Sequence, residues 1–200
     1  MVLPKIDVII PTIPGRTGPG GLLERAIQSA STQTLRFNGQ SHVALDSERQ
    51  GAAATRTRAL MMSKDADWVA FLDDDDMMMP NHLRVLYDHA METGADYVFS
   101  YYMVRDPLGR DMPNIDPLGH LHRKFDPTNP HHTTITTMVR RELAQQIGFR
   151  RDETMTTHSG EDWLFTLDCL AAGANISNPP GIRTWWWTHH AGNTSGLARW

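Results

Sequence analysis

Trp68-Val-Ala-Phe-Leu-Asp-Asp-Asp-Asp76 decides how the rest of the chain is read. Five apolar residues end abruptly in four carboxylates. A short apolar run bounded by a turn is the pattern of a strand buried on both faces. Upstream, Ile6–Ile10 is a β-branched run closed by Pro11, and Val43–Leu45 is a weaker one closed by Asp46. Leu22, Leu23, Ala26, Ile27 and Ala30 follow helical spacing, with Glu24 in the first turn. Gly51–Ser63, rich in Ala, Leu and Met, reads as a second helix. Pro80 opens a third, striped by Leu83, Leu86, Tyr87, Ala90 and Met91. Strand and helix therefore alternate through residues 1–95, which predicts an α/β fold with a largely parallel sheet. Ligands of such sheets bind beyond the carboxyl ends of the strands. Thr12–Arg16, Asp46 and Asp73–Asp76 all fall at that edge.

The second half is less regular. Asp96–Val104 reads as a strand, Asp106–Gly109 as a turn, and Asp111–Pro130, rich in Pro, His and Asp, as a functional loop. Thr133–Val139 reads as a strand, Arg140–Ile147 and Gly160–Ala172 as helices, and Ile182–Thr188 as a last strand before His189, His190 and a polar tail. The chain has 200 residues, enough for one domain with a substantial core. Its net charge of −4 speaks against nucleic-acid binding by bulk charge. The single cysteine, Cys169, excludes an internal disulfide framework and a Cys-rich zinc site. No apolar stretch approaches the ~18 residues of a spanning helix. The first residues lack a signal-peptide pattern, so a soluble, cytoplasmic protein is expected.

Four adjacent carboxylates at a strand end repel one another and raise one another's pKa values unless a cation neutralises them. Hard oxygen donors suit Mg²⁺ or Mn²⁺, ions that commonly also hold substrate phosphates. A solvated acidic loop or a helix N-terminus is the plainer alternative. Gly160-Glu161-Asp162-Trp163 could likewise be a helix cap, but a second acidic site late in the chain is what a metal-dependent transferase needs as a general base. His189-His190 after the last strand can supply an imidazole ligand. His131-His132 reads as a substrate-side loop. His120 and His122 read as exposed loop residues. In Trp185-Trp186-Trp187 the outer two share a face opposite Trp186, and core packing competes with an aromatic platform for a sugar ring.

Taken together, the chain resembles the family-two glycosyltransferases with the GT-A fold. The segments that carry the resemblance are Asp7-Val-Ile-Ile-Pro-Thr-Ile-Pro-Gly-Arg16, Gly51-Ala-Ala-Ala-Thr-Arg56, Trp68–Asp76 with Pro80, Gly148-Phe149, Gly160–Trp163 and His190-Ala-Gly-Asn-Thr-Ser195. They occur in the family's order and span nearly the whole chain. The resemblance implies a GT-A-like single domain over 1–200, with a Rossmann-like βαβ half (1–95) for the nucleotide sugar. A mixed central sheet and an acceptor and catalytic half (96–200) complete it. It also implies inverting transfer from a nucleotide-diphosphate sugar, usually UDP-linked, to a hydroxyl acceptor: a glycan, lipid, protein or modified base. By this likeness Thr12, Arg16, Asp46 and Arg56 contact the nucleotide. Asp73 or Asp74 faces the ribose, Asp75 faces Mn²⁺ or Mg²⁺, His190 contacts the metal or the diphosphate, and Asp162 is the general base. Glu161, Trp163 and His132 lie on the acceptor side, and a homo-oligomer is left open. The segment from Asp46 to Gly51 is shorter than the family's, and Thr57 replaces its asparagine. The chain ends at Trp200 without the acceptor-side extension of larger members.

Two rival functions share these features. A sugar nucleotidyltransferase also combines an α/β sheet with acidic metal ligands, but its triphosphate loop is richer in glycine and basic residues than Thr12–Gly21. A catalytically silent sugar-nucleotide-binding protein would not need Asp73, Asp75 and Asp162 together.

Overall fold

The computed structural model describes residues 2–106, 108–116, 119–128, 136–151 and 160–188. Three strand–helix pairs come first: β1 (Ile6–Thr12) with α1 (Leu22–Ser31), β2 (Ser41–Leu45) with α2 (Ala52–Met62), and β3 (Trp68–Phe71) with α3 (His82–Thr93). The short strand β4 (Met77–Met78) interrupts the last pair. Then come β5 (Tyr97–Phe99), β6 (Tyr101–Arg105), β7 (Asp111–Met112), β8 (Thr137–Arg140), α4 (Arg141–Ile147), α5 (Glu161–Ala171), β9 (Ile176–Ser177) and β10 (Arg183–Thr188).

The main sheet runs β2-β1-β3-β8-β5-β9. β1 pairs in parallel with both β2 and β3, and every residue of β1 is buried, including Asp7, whose carboxylate is hydrogen-bonded to His42 and Ser63. Alternate residues of the strands face opposite layers. Ile6, Val8 and Ile10 of β1 and Trp68 and Ala70 of β3 pack against Leu23, Ala26 and Ala30 of α1 and Leu83, Leu86 and Ala90 of α3. Ile9, Val69 and Phe71 face the other layer, with Ala59 and Leu60 of α2, Ala144 of α4 and Phe165 and Cys169 of α5. Helices therefore cover both faces.

The sheet is mixed, where strand–helix alternation alone predicts a largely parallel one. β8 runs antiparallel to both β3 and β5. Among the described residues no crossover helix lies between β7 and β8, and an antiparallel β8 does not need one. The expected strand Asp96–Val104 is also divided. At Ser100 the chain leaves the main sheet, and β6 joins a second sheet in the order β4-β10-β6-β7. Ser100 is fully buried, and its hydroxyl lies 2.5 Å from Thr184 Oγ1 of β10. That contact ties the crossing point to the second sheet. Met77–Met79, read only as a methionine run, contributes β4. The strand expected at Thr133–Val139 begins at Thr137, and residues 133–135 lie outside the described segments.

In the second sheet Trp185 and Trp187 pack with Tyr102 and Val104. They form core. Trp186 faces the opposite side, where the Arg105 guanidinium lies 4.0 Å from its ring centroid. One face of that indole is thus covered by a cation. Among the described residues no helix is long and apolar enough to cross a membrane.

Candidate active site

β1 and β3 are neighbours, while β2 lies on the far side of β1, so the strand order reverses between β1 and β3. The crevice at such a switch point, beyond the strands' carboxyl ends, is where open α/β sheets bind ligands. Thr12 ends β1 there, and Asp73–Asp76 follow β3.

The four aspartates have four different environments. Asp74 is buried and accepts hydrogen bonds from Thr12 Oγ1 at 2.6 Å and Arg16 Nη1 at 2.5 Å. It holds the first loop against the acidic turn. Asp75 accepts from the same Arg16 nitrogen at 2.9 Å. Asp73 accepts from Arg56 Nη2 at 2.6 Å. Asp76 is buried and accepts the backbone N–H of Thr188 at 3.0 Å, which binds the end of β10 to the turn. Asp73, Asp75 and Asp76 each present an oxygen, and these oxygens lie within 4.8 Å of one another.

The electrostatics follow from this crowding. Burial pushes the Asp73 carboxyl up to about 6; Arg56 opposes the rise and Asp75 adds to it. Burial, with Asp75 and Asp73 as like charges, raises Asp76 well above the usual carboxylate range. Burial alone would lower Arg16, but Asp75 and Asp74 more than compensate and raise it. The turn favours positive charge, and two guanidinium groups already stand on it. All its donors are hard oxygens, the set that fits Mg²⁺ or Mn²⁺.

Arg56 extends the site across the fold. Its helix is capped by Gly51, which takes φ 92°, a backbone region that costs glycine little. Asp46 accepts the N–H groups of Gln50 and Gly51 at 2.7 and 2.9 Å and so fixes the same turn. Burial tends to raise Asp46, but those two N–H groups and Arg58 outweigh it and lower its pKa. From α2, Arg56 Nη1 reaches Glu161 Oε1 at 2.5 Å while Nη2 holds Asp73. Burial opposes the charge on Arg56, yet Asp73 and Glu161 raise its pKa overall. Beneath it, the rings of Phe149 and Phe165 stack at 4.2 Å, with Phe71 edge-on to both.

Glu161 and Asp162 open α5 after Gly160, which takes φ 104. Glu161 faces Arg56. Asp162 accepts the N–H of Trp163 at 2.7 Å, and burial raises its pKa against the pull of Arg56, with Glu161 adding to the rise. Trp163 is half-buried in the first turn of the helix. The structure thus gathers Thr12, Arg16, Arg56, Asp73, Asp74, Asp75 and Glu161, with Asp162 adjoining, at one edge. His132 and His190 lie outside the described residues.

Residue types alone did not single out Asp76 as a third carboxylate of the cluster, Glu161 as the partner of Arg56, or Phe149 as the floor beneath it. The run of four aspartates and the Gly148-Phe149 pair were the available hints.

Comparison with known proteins bears on what this edge does. The model of glycosyl transferase family 2 matches residues 22–148, well over half of the chain. The chain belongs to glycosyl transferase family 2. Poly(ribitol-phosphate) beta-N-acetylglucosaminyltransferase TarP of Staphylococcus aureus (strain N315) is 24% identical over 202 residues, covering 86% of this chain and 59% of TarP. The crystal structure of S. aureus TarS 1-349 in complex with UDP-GlcNAc superposes with a TM-score of 0.70 at 19% identity, over 95% of this chain and 60% of that one. The UDP complex of TarS 1-349 gives 0.67 at 19% identity, over 92% and 60%. The TarS likeness establishes the shared GT-A fold of this family-2 chain. The chain spans about three fifths of the length of these relatives.

Proposed function

We propose that this family-2 chain transfers a sugar from a UDP-linked donor to a hydroxyl acceptor with inversion at the anomeric carbon. One observation carries the reading. The acidic turn after β3 is bridged by Arg56 to Glu161, beside Asp162, so a donor-side cluster and a candidate base share one edge. TarP is a beta-N-acetylglucosaminyltransferase and TarS 1-349 has been crystallised with UDP-GlcNAc, which supports UDP-GlcNAc as the first donor to try.

The residues divide the work as follows. Asp73, Asp75 and Asp76 are the residues that would hold Mn²⁺ or Mg²⁺, and His190 would be a further ligand. Such an ion, when bound there, would supply positive charge against the charge building on the departing diphosphate. Asp73, more open than Asp74, faces the ribose. Thr12 and Asp74 hold the first loop, from which Arg16 reaches the diphosphate. Asp46 sets the start of α2 at the base end of the site. Asp162 removes the acceptor proton as the new bond forms, and its raised pKa suits a proton acceptor. Glu161 and Trp163 line the acceptor side.

UDP with Mn²⁺ is expected to raise the melting temperature, EDTA to cancel that gain, and Asp75→Ala to abolish it. With UDP-GlcNAc and an acceptor, free UDP is the expected product. Pyrophosphate release from UTP and a sugar phosphate would instead support the nucleotidyltransferase. Binding without turnover over a broad acceptor panel would support the silent binder.

A further inference from the structure

Two arginines stand on the acidic turn, and they are held very differently. Arg56 is buried on a helix, fixed at both ends by Asp73 and Glu161. Arg16 sits on the loop that follows β1, with Gly15, Gly18 and Gly20 around it, and its side chain is 20% exposed. It touches Asp75 at 2.9 Å, and Asp75 belongs to the cluster whose oxygens lie within 4.8 Å of one another. Its other partner, Asp74, is also held by Thr12 at 2.6 Å and keeps that hydrogen bond if Arg16 leaves.

We infer that Arg16 couples metal entry to diphosphate capture, moving from Asp75 to the diphosphate when both ligands are bound. The inference rests on the donor-site reading above. A divalent ion ligated by Asp75 would share that carboxylate with a guanidinium already on it. Two cations on one carboxylate repel, so the metal alone binds weakly. The diphosphate offers Arg16 a planar pair of anionic oxygens, which a guanidinium grips in bidentate fashion. Arg16 then vacates Asp75 to the ion and keeps an anionic partner. Metal and nucleotide thereby favour each other through Arg16, and by linkage the effect is reciprocal. Arg56 cannot serve, because its departure would strand Glu161 as well as Asp73.

The test is calorimetric titration of Mn²⁺ and of UDP, each alone and each in the presence of the other, on wild type, Arg16→Gln and Arg16→Lys. Circular dichroism confirms that the variants are folded. Arg16→Gln is expected to tighten Mn²⁺ alone by about tenfold, to weaken UDP in the presence of Mn²⁺, and to shrink the mutual enhancement by a similar factor. Arg16→Lys keeps the charge and should hold Mn²⁺ affinity near wild type. A residue that only steadies the loop, or only binds phosphate, gives no gain in affinity for the metal alone. Unchanged or weaker Mn²⁺ binding by folded Arg16→Gln, in a background where wild type binds both ligands, overturns the coupling and spares the donor site. Wild type that binds neither Mn²⁺ nor UDP overturns the donor-site reading, and the coupling falls with it.

Discussion

Arg56 and Glu161 are 105 positions apart in the chain, yet Arg56 Nη1 donates to Glu161 Oε1 at 2.5 Å. The other terminal nitrogen of the same guanidinium holds Asp73, so one side chain of α2 joins the turn after β3 to the start of α5. Arg56→Ala leaves two carboxylates without their cation. Breaking a buried pair from one side costs about 3–5 kcal/mol, and urea unfolding at pH 7 should read a loss of that order. Arg56→Lys cannot fork to both carboxylates and should recover only part of it. A loss below about 1 kcal/mol for Arg56→Ala is the level of an exposed pair and would contradict the bridge.

Asp162→Asn preserves shape and removes the proposed base. UDP affinity should stay near wild type while turnover falls by about 10²–10⁴-fold. The product should carry the opposite anomeric configuration to the donor, as proton NMR of the new linkage reports. Near wild-type turnover, or a retained configuration, would remove Asp162 from this role.

His82 gives the fold a pH dependence of its own. It is fully buried, with Nδ1 2.7 Å from Thr184 Oγ1. Burial drives its pKa down to about 3, with Thr184 pulling weakly the other way. The unfolded chain therefore binds a proton that the folded one refuses. Stability from this group is complete above about pH 6.5 and is lost as the pH falls toward 3. Between pH 7 and pH 5 the loss is about 2 kcal/mol. Denaturant titrations of wild type and His82→Asn at both pH values should show a smaller fall in the variant, and parallel falls would refute the assignment.

The tryptophan run separates core from surface within three residues. Trp185 is 2% exposed, packs on Tyr102 at 5.1 Å between ring centroids, and donates its indole N–H to Ser100 O. Trp185→Ala should cost about 3–5 kcal/mol in chemical denaturation. Trp186→Ala, on the half-open face against Arg105, should cost clearly less. An equal loss at both positions would place Trp186 in the core as well.

Local sequence pattern set the three strand–helix pairs of the first half, though not β4, and the edge where the chemistry gathers. Trp68–Leu72 is apolar at every position, and Ile6–Ile10 at every position but Asp7, because both faces of their strands are covered. Chain polarity then fixes Thr12 and Asp73–Asp76 at the carboxyl ends. These are local properties, and local pattern records them. The direction of β8, the break at Ser100 and the partners within the acidic turn follow from long-range packing. A strand's direction depends on the path of the connection before it, which periodicity does not encode. Four identical aspartates are indistinguishable in sequence. They become a loop anchor shared by Thr12 and Arg16 (Asp74), single-arginine partners of Arg56 and Arg16 (Asp73 and Asp75) and a clasp on β10 (Asp76) only when Thr12, Arg16, Arg56 and Thr188 arrive from distant parts of the chain.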